Sequence, residues 1–199
     1  METDEALVAA RRRTGGGIAI LGVLLFLAAV VPLHFLQPGY EPSSQLMSEL
    51  ALGRYGGAMI IAFGGLALSV FGIQLSAAAL GAKVALRSVL IGASVLFLLS
   101  GVFPLGSTSE IHIAAIACAF VLSAVAMYLF PAMAGRASRL APRSVSWTLA
   151  GAMAASVAAG QSLPMGIAQR GAALFLLLWL VTVGWRLSRK EGGTNANAS

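Results

Sequence analysis

Few side chains in this sequence could bind or transform anything: the histidines His34 and His112, the carboxylates Glu49 and Glu110, the serines around position 48, and Arg170. Neutral imidazole and carboxylate suit zinc or iron, so His34, His112 and Glu49 could make a metal site of two imidazoles and one carboxylate. Two histidines on different helices could equally ligate one haem axially. The spacing does not single out either chemistry. No H-E-x-x-H pair places two ligands on one helical face, and a histidine at a helix end, wet on one side, needs no ligand at all. Metal, haem and no cofactor therefore all stay open. Ser44 and Ser48 lack the G-x-S-x-G elbow and the buried acid–histidine pair of a serine hydrolase, so no catalytic residue is assigned.

Ser48 and Glu49 belong to the run Pro42-Ser43-Ser44-Gln45-Leu46-Met47-Ser48-Glu49-Leu50. Leu46, Met47 and Leu50 share one helical face, whereas Ser44, Gln45, Ser48 and Glu49 share the other. This spacing predicts a short interfacial helix starting at Pro42, its polar side turned either to solvent or to the ends of other helices. Ser107-Thr108-Ser109-Glu110 reads as a capping box, which explains Glu110 without any function. Arg170 lies about one turn into the last apolar segment, where the helix dipole disfavours a cation, so it should have a partner. Glu49 is the first choice, because Glu110 is engaged by the cap and Glu41 is more exposed. Ser48, Glu49, His112 and Arg170, with His34 at the edge, are thus expected to converge in one ligand-binding pocket on the outer face.

The elements that must position them are membrane helices. Of 199 residues, 58% are hydrophobic and 10% charged, with a mean hydropathy of +0.88, which excludes a soluble globule. A net charge of +6 could suggest nucleic acid, but no basic face or binding module is present, so no nucleic-acid partner is expected. The apolar runs are too long and too uniformly apolar for barrel strands. Six helices are predicted, at Ile18 to Leu36, Tyr55 to Leu80, Leu86 to Phe103, Glu110 to Ala134, Ser144 to Gln161 and Gly166 to Leu187. The first follows Arg11-Arg12-Arg13 but is too long for a signal core and carries no cleavage site, so it reads as an anchor.

Eleven lysines and arginines fall on one side and only Arg54 and Arg170 on the other, which places both termini in the cytoplasm of a plasma-membrane protein. The chain divides into a cytoplasmic tail (1–14), a six-helix all-α transmembrane domain (15–187) and a disordered cytoplasmic tail (188–199). The alanine- and glycine-rich fifth helix is expected at the centre of the bundle, with Gly57, Gly64, Gly65 and Gly72 giving the second a similar close-approach surface. Cys118 reads as a small core residue. No helix centre carries an ionisable group, and no repeat relates the two halves, which argues against an ion-coupled transporter.

Three segments together carry a resemblance: the Pro38-Gly39-Tyr40 loop running into Ser44 to Leu50, the Gly101-Val102-Phe103-Pro104 step followed by His112, and Gly166-Ile167-Ala168-Gln169-Arg170 before a Leu/Trp-rich helix. They resemble the family catalogued as domain of unknown function 998. The resemblance spans residues 15 to 187. It implies a six-helix prokaryotic membrane protein with a polar outer cluster, in which Ser48, Glu49, His112 and Arg170 match the recurrent polar positions. The chain departs after Pro104, where an aspartate is expected and Leu105-Gly106-Ser107 stands. Two functions follow as alternatives. One is a structural or interaction protein, self-associating or not, whose polar cluster holds helices together. The other is a small membrane enzyme or ligand-binding protein acting on a lipid or amphiphile at the outer leaflet.

Overall fold

The computed structural model describes residues 2–106 and 108–189. Among them there is no strand, and six α-helices follow one another: α1 (Glu2–Leu36), α2 (Met59–Ala79), α3 (Val84–Val102), α4 (Ser109–Met133), α5 (Arg143–Ala159) and α6 (Met165–Ser188). Five of them, all but the 17-residue α5, are long and apolar enough to cross a membrane. The protein is a polytopic helical membrane protein. The expected boundary at residue 15 falls inside α1, which is continuous from Glu2, and the expected tail beyond residue 189 lies outside the described residues.

In a bilayer the hydrophobic effect does not drive helix against helix, so close backbone contact and interhelical hydrogen bonds must do so. Both are concentrated on α1 and α2. A Cβ on Gly22 would stand 2.4 Å from the Gly65 carbonyl oxygen, and one on Gly72 would stand 2.5 Å from that of Gly15. On its other side α1 presents Gly16 to α6, where a Cβ would meet the Gly184 carbonyl at 2.6 Å. Hydroxyls then bridge the helices: Ser69 Oγ donates to the Ala19 carbonyl and Ser76 Oγ to that of Arg12, while Ser94 Oγ on α3 donates to Ala67 on α2, each at 2.8 Å.

Accordingly α2, packed among α1, α3 and α6, is the central helix, which corrects the expectation for α5. Helix α5 buries only Ser146, Ala150 and Met153 and touches α4 and α6 from the periphery. Its small residues lie largely outside any close helix contact, and Gly151 would have nothing within 4 Å of a Cβ. The same holds for Gly57 and Gly64 on the α2 side, where only Gly65 and Gly72 make the expected close approach. Cys118 is exposed on the outer surface of α4 rather than buried in the core.

Among the described residues, the lysines and arginines other than Arg54 and Arg170 gather at one end of the bundle. There Arg12 Nη2 donates to the Arg189 carbonyl (2.7 Å), Lys83 N to Met133 (2.8 Å), Arg136 N to Leu80 (3.0 Å) and Arg186 Nη1 to Leu140 (2.9 Å). The opposite end carries the connection between α1 and α2 and every candidate site residue.

Candidate ligand site

The connection from Gln37 to Ala58 is not an amphipathic helix starting at Pro42. Residues 42–45 form turns, and a 3₁₀ helix runs from Met47 to Leu52. The tighter 3₁₀ winding, three residues per turn, redistributes the faces: Ser48 is buried together with Leu50, while Ser44 remains exposed. Glu49 is used locally, its Oε1 accepting from the Leu46 N–H (2.9 Å) and its Oε2 from Gln45 Nε2 (3.3 Å). It is therefore a cap for the 3₁₀ turn.

The connection is fastened to the start of α6 at four points. Gly166 lies against backbone, since a Cβ there would sit 2.4 Å from the Pro42 carbonyl oxygen and 2.6 Å from that of Gln45. The Ile167 N–H donates to Ser43 (3.2 Å), and the Met47 N–H donates to Gln169 Oε1 (2.6 Å). Arg170 supplies the fourth point. Its Nη1 donates to the carbonyls of Gln45 and Gly166, both at 2.9 Å, and its Nη2 donates to His34 Nε2 (3.1 Å) and to the Tyr40 hydroxyl.

The expected Arg170–Glu49 pair does not form, and no carboxylate among the described residues replaces it. Carbonyl dipoles, an imidazole and a phenol saturate both terminal nitrogens of the guanidinium, and the Tyr40 ring lies 5.6 Å below its carbon. These neutral partners stabilise the cation without the cost of desolvating a second charge. His34 Nδ1 faces the Val30 carbonyl at 2.7 Å and so carries the hydrogen, leaving Nε2 to accept from Arg170. The Tyr40 hydroxyl donates to the Leu46 carbonyl (2.9 Å) and its ring meets that of His34 edge-on, with centroids 5.3 Å apart. Burial pushes the Tyr40 phenol above its ordinary range, with the nearby Arg170 opposing that shift and Glu49 adding to it.

His112 stands apart from this cluster. It is fully buried in the first turns of α4, its ring edge-on to Phe63 at 5.3 Å between centroids. Nδ1 faces two carbonyls at the end of α3, Ser100 at 2.8 Å and Phe103 at 3.0 Å. Both are acceptors, so Nδ1 carries the hydrogen and Nε2 keeps its lone pair. Nε2 has no partner and no access to solvent. The two histidines thus serve different neighbourhoods, and no three His, Cys, Asp or Glu among the described residues stand close enough to hold a metal ion. Glu110 is exposed, and the Ser107 half of its expected capping box lies outside the described residues.

His112 lies on the wall of a cavity of about 580 Å³ between α4, α5 and α6, roofed by Leu46 and Ser48. Polar side chains, namely Ser48, His112 and Gln169, come together at the end near the connection. The remaining lining is apolar along α4 to Val125, along α5 from Met153 to Ala158, and along α6 to Ala172. Several of those apolar side chains, such as Val121 and Val157, are more than half exposed, so the cavity opens sideways between α4 and α5. Ser48 and His112 share this cavity, whereas Arg170 and His34 occupy the adjoining cluster, joined to it through Gln169 and the 45–48 backbone. The sequence reading named Tyr40, Gln45 and Gln169 on the outer face but assigned none of them to the site. The signal for Gln169 was its place next to Arg170, at a helix start that must face the connection.

A family model described as Protein of unknown function (DUF998) matches residues 20–186. No curated protein and no solved structure matches the chain.

Proposed function

The chain belongs to the DUF998 family, whose description carries no activity, and from the site itself we propose that it binds a membrane amphiphile in the cavity between α4, α5 and α6. One observation carries this reading: an apolar cavity of about 580 Å³, within the range of small-molecule sites, opens sideways and places its polar groups at one end. A lipid-phase molecule can enter such a cavity without crossing water, and the asymmetric lining orients it. Helix α4 lines the cavity from His112 to Val125, fourteen residues whose thirteen steps of ~1.5 Å span roughly 20 Å. That is about two-thirds of the ~30 Å hydrocarbon thickness.

The reading includes a topology. The end rich in lysine and arginine is cytoplasmic, the cavity's polar end lies at the outer leaflet of the plasma membrane, and α5 makes a sixth, shorter crossing. Two observations support it: α5 runs between the same two ends as α6, and among the described residues ten of the twelve lysines and arginines, all but Arg54 and Arg170, belong to the end away from the connection between α1 and α2. A purely structural role is favoured for the neighbouring Arg170 cluster, whose donors are satisfied internally and leave little to offer a ligand.

The test is binding of a long-chain alcohol to purified protein in non-ionic detergent, read by native mass spectrometry, in wild type and Ala172→Phe. Ala172 lines the cavity and is otherwise packed in the core, so the cavity is the open space beside it for a phenyl ring. Saturable binding to wild type that the substitution abolishes is expected. Equal binding by both proteins, or none by wild type, would overturn the reading.

A further inference from the structure

Resting on that reading, we infer that the polar end of the amphiphile is an uncharged carbonyl oxygen, of the kind an acyl ester or a ketone carries, held by Ser48 and Gln169. The polar end of the cavity offers hydrogens more than lone pairs. Gln169 Oε1 already accepts from the Met47 N–H at 2.6 Å, which fixes the amide so that its NH2 group is the half left over. That NH2 group and the hydroxyl of Ser48, a residue 2% exposed, bond to nothing among the described residues, and both side chains line the cavity. Unlike Nε2 of His112, neither is closed off from it. Ser48 follows Met47 in the chain, so the bond from Met47 to Gln169 also brings the two donors side by side. A hydroxyl hydrogen and two amide hydrogens therefore stand against one free oxygen, Ser48 Oγ.

A carbonyl oxygen suits this end because it accepts through two lone pairs and brings no hydrogen of its own. A hydroxyl adds a hydrogen that competes for Ser48 Oγ, and an amine adds more. Charged ends fit worse still. No Asp, Glu, Lys or Arg among the described residues lines the cavity, so a carboxylate or an ammonium would lose its hydration with no counter-charge.

The experiment compares 2-hexadecanone with 1-hexadecanol, equal in chain length and different in whether the oxygen carries a hydrogen, on the full chain in non-ionic detergent by native mass spectrometry. Wild type should prefer the ketone by about fivefold or more, the scale of one buried donor left unpaired. Methyl hexadecanoate presents the same oxygen in an ester: binding as tight as the ketone's assigns an acyl ester, and weaker binding assigns a ketone. Gln169→Glu keeps an oxygen for the Met47 N–H and puts a second oxygen where the NH2 stood. At about pH 8, where a carboxyl is ionised, its preference should invert toward the alcohol. Ser48→Ala removes the other donor and should weaken ketone binding by about fivefold, which decides the matter should Gln169→Glu fail to fold. Equal affinity of wild type for ketone and alcohol overturns the carbonyl inference while leaving an amphiphile site standing. A ketone preference that persists in folded Gln169→Glu, or ketone binding that Ser48→Ala leaves unchanged, overturns it too. Failure of every probe to bind wild type overturns the underlying reading instead.

Discussion

At the residue scale, Arg170 shows how a cation near a helix N-terminus can be stabilised without a counter-charge. The dipole opposes it, yet four neutral acceptors converge on its two terminal nitrogens. Arg170→Gln should lower stability by about 1.5–3 kcal/mol, the scale of hydrogen bonds to a charged group, and Arg170→Lys should recover only part of it because an ammonium cannot reproduce the planar fork. Double-mutant cycles in detergent, read by thermal unfolding, separate the partners. Arg170→Gln with Tyr40→Phe should show a coupling of at least ~0.5 kcal/mol, whereas Arg170→Gln with Glu49→Gln should be close to additive. A coupling confined to Glu49 would contradict the observed geometry.

Tyr40 gives a pH signature of the same cluster. Because burial raises its phenol, the folded protein holds that proton over a range in which the unfolded chain has lost it. Stability from this source is complete below about pH 10, the ordinary tyrosine value, and disappears as pH rises through the higher folded value. The ultraviolet difference titration between wild type and Tyr40→Phe should yield a tyrosinate component with a midpoint above 10. A midpoint below 10 would mean that Arg170, rather than burial, dominates.

At the element scale, adjacent glycines on α2 have opposite consequences. A Cβ on Gly65 would meet the Gly22 carbonyl at 2.6 Å and the Phe26 nitrogen at 2.8 Å, while one on Gly64 would meet nothing within 4 Å. Gly65→Ala should therefore force α1 and α2 apart and lower the melting temperature by several degrees. Gly64→Ala should be neutral or stabilising by up to ~1 kcal/mol, since alanine is the better helix former. Melting curves of the two variants side by side test the assignment, and equal effects would remove the argument for α2 as the central helix. That helix centrality was not legible from composition. Small residues on α5 and α2 look alike in sequence, and only the register of α2 against α1 decides which glycines meet a backbone.

At the scale of the whole molecule, the proposed orientation predicts that the connection between α1 and α2 faces outward. With Cys118 replaced by alanine, cysteines introduced at the exposed Ser44 and at Ser138, on the opposite end, should react differently with an impermeant thiol reagent on intact cells. Label at position 44 with protection at 138 is expected; the reverse pattern would invert the protein in the membrane.

What the sequence by itself determined is the class of molecule, a polytopic helical membrane protein, because hydropathy is a chain-local property and a bilayer demands long apolar helices. It also singled out Ser48, His112 and Arg170, since polar groups are few in so apolar a chain. Which groups meet was decided only by tertiary structure. The 3₁₀ winding at Met47–Leu52 turned Ser48 inward and spent Glu49 on a local cap, carbonyls that no sequence pattern marks took Arg170, and the end of α3 fixed the Nδ1 hydrogen of His112. Backbone carbonyls are present at every residue, so their convergence on one guanidinium or one imidazole is a property of the packed bundle rather than of residue type.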